Sequence, residues 1–109
     1  MGEEHPYTLK SLHHLASSYF KLGEYEQSLY LNKKVIKIRC KILGKNHPDT
    51  LSSLQSLASV YSELGSYQKA KTLQKDVYDL SKRILGETHP QTIKAKESLN
   101  NILNLLIST

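Results

Sequence analysis

Three histidines, His5, His47 and His89, stand 42 residues apart, and each sits in the frame G-x-x-H-P-x-T. The three copies read GEEHPYT, GKNHPDT and GETHPQT. Imidazoles at a fixed interval could in principle converge on a zinc ion, which needs each nitrogen at about 2.0 Å. Other groups could carry other chemistry. Cys40 beside a histidine would make a nucleophile and base. Asp76 and Asp79, one helical turn apart, could form a carboxylate pair. His13 and His14 are adjacent, so on a helix they face different ways, one toward solvent and the other toward a groove. Which of these chemistries is open depends on the elements that hold the residues.

Those elements come from a repeat. Residues 2–43 laid without gaps on 44–85 give 19 identities in 42 positions. Leu9, Leu12, Leu15, Ala16, Tyr19 and Leu22 fall on Leu51, Leu54, Leu57, Ala58, Tyr61 and Leu64. Steps of three and four mark the apolar face of a helix. Gly23 and Gly65 follow at once, where a left-handed residue closes a helix. Tyr25 and Tyr67 open a second periodic segment, through Leu31, Val35, Ile38, Ile42 and Leu43, then Ala70, Leu73, Val77, Leu80, Ile84 and Leu85. Each unit is therefore a helix of about 15 residues, a glycine turn and a helix of about 19.

The histidine frame is the joint between units. Gly44 and Gly86 end the second helices. Pro48 suits a first helical position, where its missing N–H costs nothing. Residues before proline avoid helical geometry, so His47 is expected at or beside the N-cap. Thr50 lies in the first turn, where its hydroxyl is expected to bond a free backbone group. Equivalent joints of stacked helix pairs lie about two interhelix distances of 8–10 Å apart. Three imidazoles so spaced cannot share a zinc ion, so no metal is expected. Glycine-rich phosphate loops, G-x-S-x-G, H-E-x-x-H and C-x-x-C are missing from the sequence. No motif joins Cys40 to a histidine, and a solvated face accounts for Asp76 and Asp79. The chain is read as no enzyme, with no cofactor.

Composition agrees. The 109 residues carry 39% hydrophobic and 23% charged side chains, a globular balance for one domain with a modest core. A lone cysteine cannot close an internal disulfide, which fits a reducing compartment. The start does not resemble a secretory leader, and no apolar run approaches the ~18 residues a membrane span needs. A cytoplasmic place is expected, without a membrane partner. The net charge of +5 is too small to argue for nucleic acid, which is not an expected partner.

The segments LHHLASSYFKLGEY and LQSLASVYSELGSY resemble the tetratricopeptide repeat, with Ser28 or Ala70 as the small residue of the second helix. That family's usual period is 34 residues. Here the longer period extends the second helix and adds the H-P joint, and the usual first-helix tryptophan and end-of-repeat proline are missing. The long form is similar to the repeats of kinesin light chains and of bacterial and fungal nucleotide-binding receptors. The resemblance implies an all-α, right-handed α-solenoid of two helix pairs plus a C-terminal capping helix, forming one domain over 1–109. Repeat 1 covers about 5–44 and repeat 2 about 47–86. The capping helix, or partial third repeat, covers about 90–107.

It also implies a protein-interaction module, a scaffold or adaptor, whose first helices line a concave groove for a peptide or protein. Carried over by alignment, the groove positions are Lys10, His13, Ser17, Phe20 and Lys21 from the first copy. Ser52, Gln55, Ser59, Ser62 and Glu63 come from the second, and Lys94, Glu97 and Asn101 from the last helix. This surface is polar and nearly neutral, suited to hydrogen-bonding an extended backbone. Phe20, matched by Ser62, either packs under Tyr25 or opens an apolar pocket. Relatives that clamp chaperone tails use a Lys and an Asn where this chain has His13 and Ser17, so that ligand is not expected. The second helix carries a basic stripe, Lys33, Lys34, Lys37, Lys41 and Lys45 with Arg39 beside it. It reads either as a solvated convex face or as a docking patch for an acidic protein or a nucleic acid, though the aromatic interleaving that stacks bases is missing.

The ends carry expectations of their own. Gly2 aligns with Gly44, so the chain reads as a piece of a longer array that opens inside a joint. In ungapped register the last helix has Lys96 and Asn100 where Leu54 and Ala58 stand, as a terminal helix with a wet outer face would. A slip of about three residues, pairing SLNNIL with SLQSLA, is the alternative. An uncovered first helix, with Leu9, Leu12 and Tyr19 as candidates, would support a weak homodimer through the N-terminal end. The alternative function is a structural or self-associating segment of a larger array, without a ligand of its own.

Overall fold

Two kinds of punctuation, glycine after a helix and His-Pro before one, divide the chain into five helices. The structure is a computed structural model that describes residues 6–108, so His5, Gly2 and Met1 lie outside the described residues. The helices are α1 (Pro6–Lys21), α2 (Tyr25–Leu43), α3 (Pro48–Glu63), α4 (Tyr67–Leu85) and α5 (Pro90–Ser108). Each packs along the next in sequence, while α1 touches α3 and α3 touches α5 more lightly. This puts α1, α3 and α5 in one layer and α2 and α4 in the other. The molecule is 18 Å deep, the thickness of two helix layers. The architecture is an all-α solenoid of helix pairs.

The turns form for local reasons. Gly65 has φ +82°; its N–H donates to the Ser62 carbonyl at 3.1 Å, and Ser66 N–H donates to the Tyr61 carbonyl at 2.9 Å. These two bonds form the glycine-centred Schellman closure. Gly44 differs: φ 88° and ψ 159° lie in a region essentially closed to other residues. His47, extended at φ −71° and ψ 139°, is the N-cap of α3, and its Nδ1 accepts from Asp49 N–H at 3.0 Å. His89 repeats the cap on Gln91 N–H at 3.1 Å. A ring nitrogen that accepts in this way carries no proton, so both caps use the tautomer protonated at Nε2.

Thr50 corrects an expectation. It is wholly buried and its hydroxyl has no hydrogen-bond partner. Imidazole has already taken the Asp49 N–H, and Pro48 has none to offer. The Thr50 side chain packs instead of capping, and Thr92 does the same in α5.

The core gathers Leu51, Leu54, Val77, Leu80 and Ala95 from α3, α4 and α5. A fully buried leucine such as Leu51 stabilises by about 1.5–3 kcal/mol relative to an exposed one. Ala58 and Ala70 are completely buried, as small residues are where two helices approach closely. In the first pair Ser28 takes the place of Ala70, and its hydroxyl donates to the Ala16 carbonyl at 2.9 Å.

Two further expectations are revised. Leu15, Leu22, Ile42, Leu43 and Ile84, assigned to buried faces, are exposed. Arg39 leaves the basic stripe: it is buried, donating to the Asp49 carbonyl at 3.1 Å and to Ser53 Oγ at 2.7 Å. It thereby ties α2 to the first turns of α3. The last helix, in contrast, has not slipped. Pro90 opens it as Pro48 opens α3, and Thr92, Ala95 and Ile102 are buried like Thr50, Ser53 and Val60. Lys96 and Asn100 are exposed, on positions that are buried in α3.

Candidate functional site

Helices α1, α3 and α5 lie side by side, so residues of one register project from each onto a shared face. They line three adjoining clefts. His13, Ser17, Phe20, Gln55, Ser59 and Lys94 bound the central one, of about 170 Å³. Phe20, Ser59, Ser62, Glu63 and Asn101 bound a second. Lys10, His13 and Ser52 bound a third with His14, Arg39 and Asp49. Shared walls at His13, Phe20 and Ser59 join the three into one depression. Lys21 and Glu97 are exposed and lie outside these clefts.

Phe20 packs on Tyr25, as one of its two readings expects, and it also borders two of the clefts. Its ring meets Tyr25 edge-on, centroids 5.4 Å apart at 63°, a favourable aromatic geometry. Its other side is the wall between the central and second clefts. Ile102 and Leu105 add apolar side chains to the second cleft. Gln55 is less available. It is 7% exposed, and its Nε2 donates to Gln74 Oε1 at 2.9 Å and to Ser98 Oγ at 3.2 Å. The Gln74 amide returns a bond to Gln55 Oε1 at 2.6 Å. Gln55 is thus a floor of the groove, with most of its bonding capacity met internally.

His13 and His14 divide as their adjacency requires: His13 is half-buried and His14 exposed, their rings 6.2 Å apart. Burial holds the His13 imidazole below its ordinary value. The nearby Arg39 and His14 add to this, and Asp49 opposes it. His13 therefore favours the neutral form, which can accept as well as donate.

The sequence reading missed Ser28, Asn32, Ser56 and Val60, which also line the central cleft. Asn32 comes from α2, outside the layer that supplies the groove. Its signal was available, since Asn32 and Gln74 are a polar pair at one repeat position inside an otherwise apolar stripe.

On the opposite layer, Lys33 and Lys69 approach the Tyr61 ring, with Nζ 5.8 and 5.7 Å from its centroid, and Lys34 lies 5.9 Å from that of Tyr30. Such contacts contribute about 0.5–1 kcal/mol at exposed sites, and they give Lys33 and Lys34 of the stripe a structural role. Among the described residues no group of three or more histidines, cysteines or acids could hold a metal ion. Cys40 is a free, half-buried thiol.

A two-layer stack of glycine-closed helix pairs, with a polar face on the first helices, is the architecture of a helical-repeat protein. The chain belongs to the tetratricopeptide repeat family, whose pattern matches residues 7–83. It is kinesin-light-chain-like. Two solved structures similar to it are Podosopora anserina chains described as a kinesin light chain with nearly identical TPR-like repeats. One, a variant form, has TM-score 0.81 and 30% identity over 95% of this chain and 49% of that chain. The other has TM-score 0.79 with the same identity and coverage. The chain thus spans about half the length of these solved chains. No curated protein matches it. Tetratricopeptide repeats generally mediate protein–protein interaction, and such repeat proteins are typically non-enzymatic scaffolds. No helix among the described residues is long and apolar enough to cross a membrane.

Proposed function

We propose that the face shared by α1, α3 and α5 binds an extended peptide or protein segment, making the chain an adaptor or scaffold module. The observation that carries this reading is the continuity of the three clefts through His13, Phe20 and Ser59. A run of small hydroxyl side chains, Ser17, Ser52, Ser59 and Ser62, lets a partner's backbone come close. Phe20 supplies an apolar anchor and Lys10, Lys94 and Glu63 supply polar rims. In this reading 1–109 is one cytoplasmic domain, with repeats over about 5–44 and 47–86 and a capping helix over about 90–107. It takes no cofactor, catalyses no reaction and engages neither nucleic acid nor membrane.

The test is a peptide selected by display against the intact chain, followed by fluorescence polarisation. Ser17→Arg and Ser59→Arg should each abolish binding while circular dichroism stays unchanged. Binding that survives both substitutions moves the partner off this face.

A second reading has an observation of its own. Leu15, Tyr19, Tyr30 and Leu31, with Glu26 and Gln27, line a largely apolar cleft of about 400 Å³ between α1 and α2, and the second pair has its equivalent along Leu57, Tyr61 and Leu73. Leu15 is 45% exposed, whereas its counterpart Leu57 is 8% exposed. This favours packing of the α1–α2 end on another helix pair, in a larger array or in a second copy.

A further inference from the structure

The two repeats solve the same interior problem differently. Positions 55 and 74 of the second repeat hold a reciprocal carboxamide pair, Gln55 with Gln74, and Gln55 passes a third bond to Ser98. Both amides are satisfied inside the protein. Positions 13 and 32 are their equivalents in the first repeat, and they hold His13 and Asn32. No such reciprocal pair forms there, and both Asn32 Oδ1 and His13 Nδ1 are buried without a hydrogen-bond partner. Burying a polar atom unbonded forfeits its hydration with no return, so a group that reaches these two atoms is strongly favoured.

The orientation of Asn32 follows from its neighbours. Ser28 has one hydroxyl proton, and it goes to the Ala16 carbonyl. Toward Asn32, therefore, Ser28 can only accept, and Asn32 Nδ2 donates to it at 3.2 Å. The amide must then turn its oxygen the other way. Asn32 is 2% exposed and lies at the floor of the central cleft, which His13 and Phe20 also line. Ser56, the counterpart of Ser98, lines the same cleft. The first repeat thus keeps the serine that borders a carboxamide pair and lacks one carboxamide.

We propose that the central cleft binds the primary carboxamide side chain, glutamine or asparagine, of a peptide lying in the groove. Its NH2 donates to Asn32 Oδ1, and its carbonyl oxygen accepts from the His13 ring or from Lys94. The ring of His13, only half-buried, turns aside to admit the group, and the methylene stem lies against Phe20. A carboxylate fits worse, because it has no N–H for Asn32 and would set its charge against the asparagine oxygen. The proposal rests on the groove reading and adds to it a side-chain preference.

The experiment is a ¹⁵N-edited NMR titration of the intact chain with three small probes, the N-acetyl N-methylamides of glutamine, glutamate and alanine. The glutamine probe should saturably shift the Asn32 side-chain NH2 and the amides around His13. Glutamate and alanine should act about tenfold more weakly, the loss expected when a buried hydrogen bond goes unmade. Equal shifts from glutamine and alanine would mean that backbone amides suffice, and would overturn the side-chain preference. No shift at Asn32 or His13 with any probe would overturn the site. The double variant His13→Gln, Asn32→Gln rebuilds the second repeat's pair and should plug the cleft. It should lose the glutamine response and melt at a higher temperature, whereas an unchanged response overturns the proposal. The probe series on the unaltered chain stands even if that variant misfolds. A groove peptide that binds with no glutamine or asparagine preference would sink this inference and leave the groove reading intact. A glutamine probe seated at Asn32, with no peptide ever competing for the groove, would do the reverse.

Discussion

The first helix pair, α1 with α2, and the second, α3 with α4, have the same lengths, 16 and 19 residues, and the same glycine closures. Their identical residues include those that set backbone path: glycines, the H-P joint, and leucines and one alanine at helical spacing. Their differences fall elsewhere. His13 and Asn32 replace a satisfied glutamine pair, Phe20 replaces Ser62, and Arg39 replaces Ser81. A repeat can thus hold its geometry on about half its positions and vary its side-chain chemistry on the rest. Among the described residues the second pair is also flanked on both sides, by α2 and α5, and the first on one side only. Equal residues therefore contribute unequally to stability.

The sharpest break of that comparison is one substitution made twice. Leu57→Ala should cost about 2–4 kcal/mol, because the side chain is buried and leaves a cavity. Leu15→Ala, at the same repeat position but 45% exposed, should cost about 1 kcal/mol. Urea unfolding of both variants measures the difference. Equal losses would mean that the α1–α2 end is covered in solution.

Glycine substitutions test the shared part. Gly44→Ala should cost about 1–3 kcal/mol, because its φ and ψ suit only glycine. Gly65→Ala should cost about 1 kcal/mol, since αL strains alanine less. A Cβ at either site would meet no atom within 4 Å, so the cost comes from the backbone and not from crowding. Thermal melts that rank Gly65→Ala as the more damaging would overturn this account of the two turns.

Local rules made most of the fold legible. The helix face from Leu51 to Leu64, the closure at Gly65 and the cap at His47 each depend on residues a few positions apart. What stayed hidden depends on how helices cross. Arg39 looked like part of a surface stripe because its partners, Asp49 and Ser53, lie beyond the Gly44 turn. The Gln55–Gln74 pair joins residues 19 apart, so no single helix pattern shows it. Thr50 carried a capping signal, but two local signals competed there, and His47 holds the free N–H of Asp49. That α1, α3 and α5 share a face followed from alignment, whereas the depth of Gln55 and the contribution of Asn32 required the second layer of helices.

The smallest expected effect concerns the uncovered end. The repeat comparison identifies what a neighbour covers: Leu57 is shielded and Leu15 is not. Leu9, expected on this face, is 4% exposed and belongs to the interior, so the patch centres on Leu15, Tyr19, Tyr30 and Leu31. Apolar patches of this kind seek partners. A twofold dimer buries the same patch on both copies and closes the assembly. Head-to-tail stacking would instead need the outer face of α5, where exposed Lys96, Asn100 and Asn104 break up the apolar Ile93, Leu103 and Ile107. The symmetric form is therefore the expected one, and it should be weak, because a patch of four side chains is small beside the interfaces of stable dimers. Sedimentation over a wide concentration range should show a monomer that associates only at the upper end, and Leu15→Glu should hold it monomeric throughout. A chain that stays monomeric without that substitution, or a Leu15→Glu variant that still associates, would move the contact away from the first helix pair.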